Sequence, residues 1–238
     1  MSAAVSPAQR RAIVRDAVGI GVATGAFGLS YGAIAVASGL TVLQTSALSV
    51  LMFTGASQFA LVGVVGAGGG ALASAATAVM LGTRNALYGL QLSALLRAHG
   101  PRRLLASHLV IDESAAMAVA QDDPPRSRIG FWATGAAVFV LWNLGTLVGA
   151  VGADLLEDPA RFGLDVAGPA AFVALLSPRL RDVPAWVVAV VAALVAVLAV
   201  PFVPAGVPVL LAAVVAAVVA LAGRRGDDGP VADVEEVS

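Results

Sequence analysis

The chain contains no cysteine and no lysine, and only two histidines, His99 and His108. Without cysteine there is no disulfide, no thiolate metal site and no cysteine nucleophile. Two histidines are too few for a histidine-rich metal site. Charge is scarce too. Only 12% of the 238 residues are charged, against about a quarter in an ordinary soluble domain. From Ala17 to Thr83 there is neither a charge nor a histidine. HExxH, GxSxG and P-loop patterns are missing as well, so the sequence carries no signature of a zinc protease, an α/β-hydrolase or an ATP-driven machine. All fourteen basic residues are arginine. Beside so much Ala, Val and Gly this reads as biased genome composition. The net charge of −1 implies no broad attraction to nucleic acid or anionic lipid.

What remains is apolar. Hydrophobic residues make up 59% of the chain and the mean hydropathy is +0.91. A spanning helix needs about 20 apolar residues, and the sequence offers several such runs. The fold class expected is therefore an all-α membrane protein, a polytopic helical bundle of seven or eight membrane segments, some broken or re-entrant. Residues 1–16 form a cytoplasmic tail. Its Arg10, Arg11 and Arg15 lead into an apolar run longer than the core of a signal peptide. Residues 17–223 form the transmembrane domain, and 224–238 a disordered cytoplasmic tail.

Within that domain, Ala17–Ser38 carries Gly21, Gly25, Gly28 and Gly32 on one helical face, a smooth surface for close packing. Leu43–Val65 is interrupted near mid-depth by Thr54, Gly55, Ser57 and Gln58. Consecutive small and polar residues there predict a local unwinding, tolerated only where protein or water covers the backbone. Ala71–Leu96 follows. Leu104–Ala120 reads equally as a short span, a re-entrant piece or an interfacial helix. Ile129–Ala153, the interrupted Phe162–Ser177, Val183–Val200 and Ala205–Ala222 complete the list. Positive-inside reasoning puts the N-terminal arginines, Arg126, Arg128, Arg179, Arg181, Arg224 and Arg225 in the cytoplasm. If the first three segments all span, Arg97, Arg102 and Arg103 fall outside, against the rule; the sequence leaves that open.

Function concentrates in a few polar residues. Ser74, Thr77, Arg84, Tyr88 and Gln91 form one stripe on an otherwise apolar helix, expected to face the bundle interior. An arginine at mid-depth costs roughly 2.5–3.5 kcal/mol on the translocon scale. Its fork grips a carboxylate with two parallel bonds. Arg84 is thus either a substrate clamp or one half of a structural ion pair with Asp165 or the Asp112–Glu113 pair. Ser57 and Gln58, with Gly55, supply donors and bared backbone, as discontinuous helices do in secondary transporters; the plainer reading is an interhelical hydrogen bond. Tyr31 lies beside the glycine face, and Asn85 next to the arginine. Asp112, Glu113 and Asp165 are candidates for ion coupling or ion pairing, with a solvated helix end as the alternative for the first two.

Five stretches together resemble the AzlC family of branched-chain amino acid permeases: Phe53-Thr54-Gly55-Ala56-Ser57-Gln58-Phe59; Arg84 through Tyr88-Gly89-Leu90; Asp112-Glu113-Ser114; Gly163-Leu164-Asp165; and Pro169-Ala170-Ala171-Phe172. The resemblance runs from about Ala17 to Ala222. It implies a multi-pass protein of the cytoplasmic membrane that exports leucine, isoleucine, valine and similar amino acids, without a cofactor, alongside a small hydrophobic AzlD-type subunit. Family members commonly show Asn two places before the arginine and His directly after it; here those places hold Gly82 and Asn85. The substrate-binding residues it suggests are Tyr31, Gly55, Ser57, Gln58, Arg84, Asn85 and Tyr88. Two other classes stand beside it. One is a non-transporting membrane scaffold subunit, and the other an intramembrane hydrolase built on Ser57 and His108.

Overall fold

The computed structural model describes residues 5–156, 173, 176–177, 180–204 and 207–224. Asp165, the interrupted segment around it and the C-terminal tail lie outside the described residues. The chain divides into two compact units, residues 1–172 and 173–238, and every described element is helical or a connecting turn.

In the first unit α1 spans Pro7–Ala37 and α7 spans Pro124–Asp154. Ser6 caps α1 by accepting from Gln9 N, and Asp123 caps α7 by accepting from Arg126 N. Proline follows each cap, where its missing N–H costs nothing. At about 1.5 Å per residue these 31-residue helices are long enough to cross a membrane, and both are apolar enough. They run parallel. Gly21 sits against Ala137, Gly25 against Leu141, Gly28 against Trp142 and Gly32 against Thr146, while Gly145 and Gly149 on α7 meet the carbonyls of Gly25 and Leu29. The expected glycine face is therefore an interface, and its partner is α7.

The Leu43–Val65 run is not one segment. It is α2 (Val42–Leu51), a break at Met52–Gly55, and α3 (Ala56–Gly66). Ten or eleven residues extend only about 15 Å, half of a membrane core of about 30 Å. The two pieces fold back on each other. A Cβ on Gly66 would lie 2.8 Å from the Ser38 hydroxyl, so α3 ends beside the turn from which α2 starts. Then α4 (Ala71–Leu96) runs the other way, bringing Leu95 to Arg128 at the start of α7 through a 2.9 Å bond from Arg128 Nε to the Leu95 carbonyl.

Leu104–Ala120 resolves in the same way. It is α5 (Pro101–His108), a break at Leu109–Ile111, and α6 (Asp112–Val119). Leu109 packs on Gly135 of α7 and Met117 on Gly130, so α6 returns toward the end where α5 entered. Of the three readings open in the sequence, the re-entrant one is observed. The unit thus holds two helical hairpins that enter from opposite ends of the bundle. Arg10, Arg97, Arg102 and Arg128 all line one cavity, so these arginines share an end. The conflict with the positive-inside rule disappears, because α2–α3 adds no crossing.

In the second unit α8 (Val183–Ala199) and α9 (Val207–Arg224) pack against each other across the turn that begins at Pro201. Both are apolar but short, and no residue of α8 is buried. The described residues thus carry two helices that meet the length and hydropathy of a membrane span, with shorter apolar helices beside them.

Candidate functional site

Each hairpin break is closed by a side chain three residues downstream. In the first, Gln58 Oε1 accepts from Gly55 N at 3.1 Å and Gln58 Nε2 donates to the Leu48 carbonyl at 3.3 Å. In the second, Ser114 Oγ accepts from Ile111 N at 3.1 Å and donates to the Leu109 carbonyl at 2.6 Å. Unpaired backbone groups at this depth are costly, and these two polar side chains remove that cost. Gly55 adopts φ +57°, in the left-handed region that glycine enters freely, so the first turn can reverse. Gln58 therefore has a backbone role, its amide being committed to the break.

The tips meet. Phe53 in the first break lies 6.0 Å from the His108 ring at the end of α5, and both pack on Phe139 of α7, at 5.1 and 5.7 Å. Sequence reasoning singled out neither Phe53 nor Phe139 as site residues. The legible signal was a histidine inside an apolar segment. A second aromatic group sits beyond it. Tyr31 stacks on Trp142 at 6.0 Å, and Phe59 stands edge-on to both, at 5.6 and 6.2 Å. Tyr31 is fully buried. Its hydroxyl lies beside the Gln58 amide, whose ends are already engaged, and it makes no well-formed hydrogen bond; Trp142 Nε1 has no partner either.

The polar side of the site is on α4. Arg84 Nη1 pairs with Asp112 Oδ2 at 3.0 Å, each side chain about 30% exposed (28% and 32%). Among the described residues Asp112 is thus the ion-pair partner of Arg84, and Glu113 follows it in the first turn of α6, where the helix dipole favours negative charge. Arg84 Nε, Asn85 Oδ1 and Ser57 Oγ are buried without hydrogen-bond partners. Ser57 faces Gly82, one turn before Asn85. Along the expected stripe Ser74 and Thr77 are buried and Arg84 and Tyr88 half-buried, but Gln91 is exposed. At that level the helix buries Leu92 instead, and a residue one position away points about 100° off. A cavity of about 750 Å³ follows α4 and α5 from Arg97 and Arg103 at the basic end to Asn85 and Val110. Its mouth is cationic and its inner end lies next to Arg84.

A serine nucleophile needs a base within hydrogen-bond reach, and Ser57 Oγ has none. No group of three or more acidic or histidine side chains among the described residues is placed to hold a metal.

A family model described as AzlC protein matches residues 19–156. The comparisons with curated proteins and with solved structures return no match.

Proposed function

This chain belongs to the AzlC family, and on that premise we propose that it is a secondary transporter exporting branched-chain amino acids across the cytoplasmic membrane, together with a small AzlD-type subunit. The family ties the chain to a membrane and to branched-chain amino acid transport; direction, partner and site are our reading. One observation carries it. Arg84 precedes Asn85, which lines the cavity from the basic end, and pairs with Asp112 at the start of α6, while buried polar atoms of Arg84, Asn85 and Ser57 stay unused.

In this reading the substrate enters from the basic end, taken as cytoplasmic by the excess of arginine there. Its carboxylate replaces Asp112 on the Arg84 guanidinium, which offers a planar fork. Release of Asp112 from this pair links substrate binding to the driving ion gradient, which we take to be that of protons. Ser57, Asn85, Tyr31 and Tyr88 orient the amino acid, and the Phe59–Trp142 wall receives its branched side chain. Contact between Phe53 and His108 is the barrier that the hairpins open in turn. Discrimination among leucine, isoleucine and valine is weak, because one methylene is worth about 1–3 kcal/mol.

The test is leucine efflux from cells loaded with a leucine-containing dipeptide, with and without the AzlD-type subunit. Arg84→Ala should lower efflux about 10- to 100-fold, the loss of a charge-assisted hydrogen bond of about 1.5–3 kcal/mol, and Arg84→Lys should recover part of it. A folded Arg84→Ala protein with normal efflux removes the clamp. A wild-type protein with no efflux in either setting favours a scaffold subunit instead.

A further inference from the structure

The basic end of the bundle holds a second cavity, of about 830 Å³, which shares Arg97 and His99 with the one that leads to Asn85. Three separate stretches of chain bring basic side chains to it: Arg10 from α1, Arg97 and His99 from the α4–α5 connection with Arg102 at the start of α5, and Arg128 from α7. No carboxylate among the described residues lines it. Among the described residues none of these four arginines has an ion pair, whereas Arg15, Arg84 and Arg126 all do.

Convergence of like charges in a cleft raises the potential there and works against folding unless a counter-charge arrives. Two of the arginines are held in position. Arg128 is fixed by its bond to the Leu95 carbonyl. Arg97 closes α4 with φ +46°, a conformation that side chains other than glycine's resist. Guanidinium forks match phosphate oxygens in pairs. The remaining wall is apolar, formed in part by Val14 and the half-buried Trp132, and indole rings favour the membrane–water boundary.

We propose that this cavity binds the phosphate headgroup of an anionic phospholipid of the inner leaflet, with the acyl chains along the Val14–Trp132 wall. The shared chemistry is a phosphate anion, and the apolar wall selects the lipid over the free ion. The site is independent of what the protein transports. It also places a lipid against the α4–α5 connection, the loop from which the second hairpin hangs.

Native mass spectrometry of the full-length protein, released from nanodiscs of phosphatidylcholine doped with phosphatidylglycerol or cardiolipin, tests this. Wild type should retain anionic lipid. Arg97→Gln with Arg102→Gln should weaken retention about tenfold or more. Arg11→Gln with Arg15→Gln removes the same charge from outside the cavity and should leave it within about twofold. Size-exclusion profiles confirm that the variants fold, and Arg10→Gln provides a milder second variant on another helix. Equal losses in both double variants mean diffuse electrostatic attraction and overturn the site. Displacement of the lipid by millimolar inorganic phosphate means a soluble anion is the ligand and overturns the lipid assignment. Absence of retained anionic lipid in the wild type overturns both.

Discussion

Two interfaces in the first unit solve the problem of packing in an apolar medium in opposite ways. Between α1 and α7 glycines let backbone meet backbone, and the contact is all shape. Where the hairpin tips meet α4, packing is looser in its chemistry: Arg84 Nε, Asn85 Oδ1 and Ser57 Oγ are buried without partners. An unsatisfied buried polar atom costs about 1–3 kcal/mol. The first interface is built to stay closed, and the second keeps donors and acceptors in reserve. In the proposed reading that contrast separates the scaffold from the binding site.

The contrast breaks most directly at Gly149. A Cβ there would fall on the Leu29 carbonyl, and one at Gly32 on the Thr146 carbonyl. Because the obstacle is backbone, it cannot rotate aside. Gly149→Ala should cost at least the 1–3 kcal/mol typical of overpacking and remove the monodisperse peak in fluorescence-detected size exclusion. Gly152→Ala, with nothing nearby, should leave the peak unchanged. If both behave alike, the parallel α1–α7 contact is not what holds the unit together.

Tyr31 sharpens the other side. Its hydroxyl is buried without a well-formed hydrogen bond, so Tyr31→Phe should leave thermal stability equal or slightly higher. If the hydroxyl serves substrate, the KM for efflux should rise about two- to tenfold, the worth of a neutral hydrogen bond of about 0.5–1.5 kcal/mol. A lowered melting temperature with unchanged KM reverses the assignment.

The smallest effect lies at a helix end away from both interfaces. The hydrogen bond from Arg126 N, with further help from the Arg126 side chain, holds the Asp123 carboxyl below its ordinary range. A lowered folded-state value means the cap stabilises above the unfolded carboxylate range, near 3.9, and is lost as pH falls through the lowered value. Asp123→Ala should therefore show a slightly lower melting temperature, by a constant amount, from pH 6 to 8. The gap from wild type should close in acid. A gap that opens on acidification contradicts the cap.

Much of the local chemistry was legible. Gly55, Ser57 and Gln58 announced a break because small and polar residues do not continue an apolar span without cover. Gly21 to Gly32 announced a packing face. The sequence also offered Asp112 among the possible partners of Arg84. It did not show that Gln58 serves the break itself, since an amide that binds substrate and one that closes its own backbone look identical in one dimension. Gln91 was misplaced because helical spacing gives a face but not the depth at which that face is covered. Phe53, Phe139 and Trp142 were hidden among ordinary apolar residues, and only contact distinguishes a gate from a core.

Composition and spacing by themselves pointed to a membrane, to helix as the secondary structure seen in the described residues, and to the few positions where polarity interrupts lipid-soluble chain. Those follow from the cost of bare backbone and charge in oil, which every segment meets on its own. Which way each hairpin enters, that their tips meet at Phe53 and His108, and that Arg97, Arg102 and Arg103 share an end with Arg128, were decided by tertiary structure alone. A helix too short to cross must turn back, and the neighbour it turns against lies far along the chain, where no local period records it.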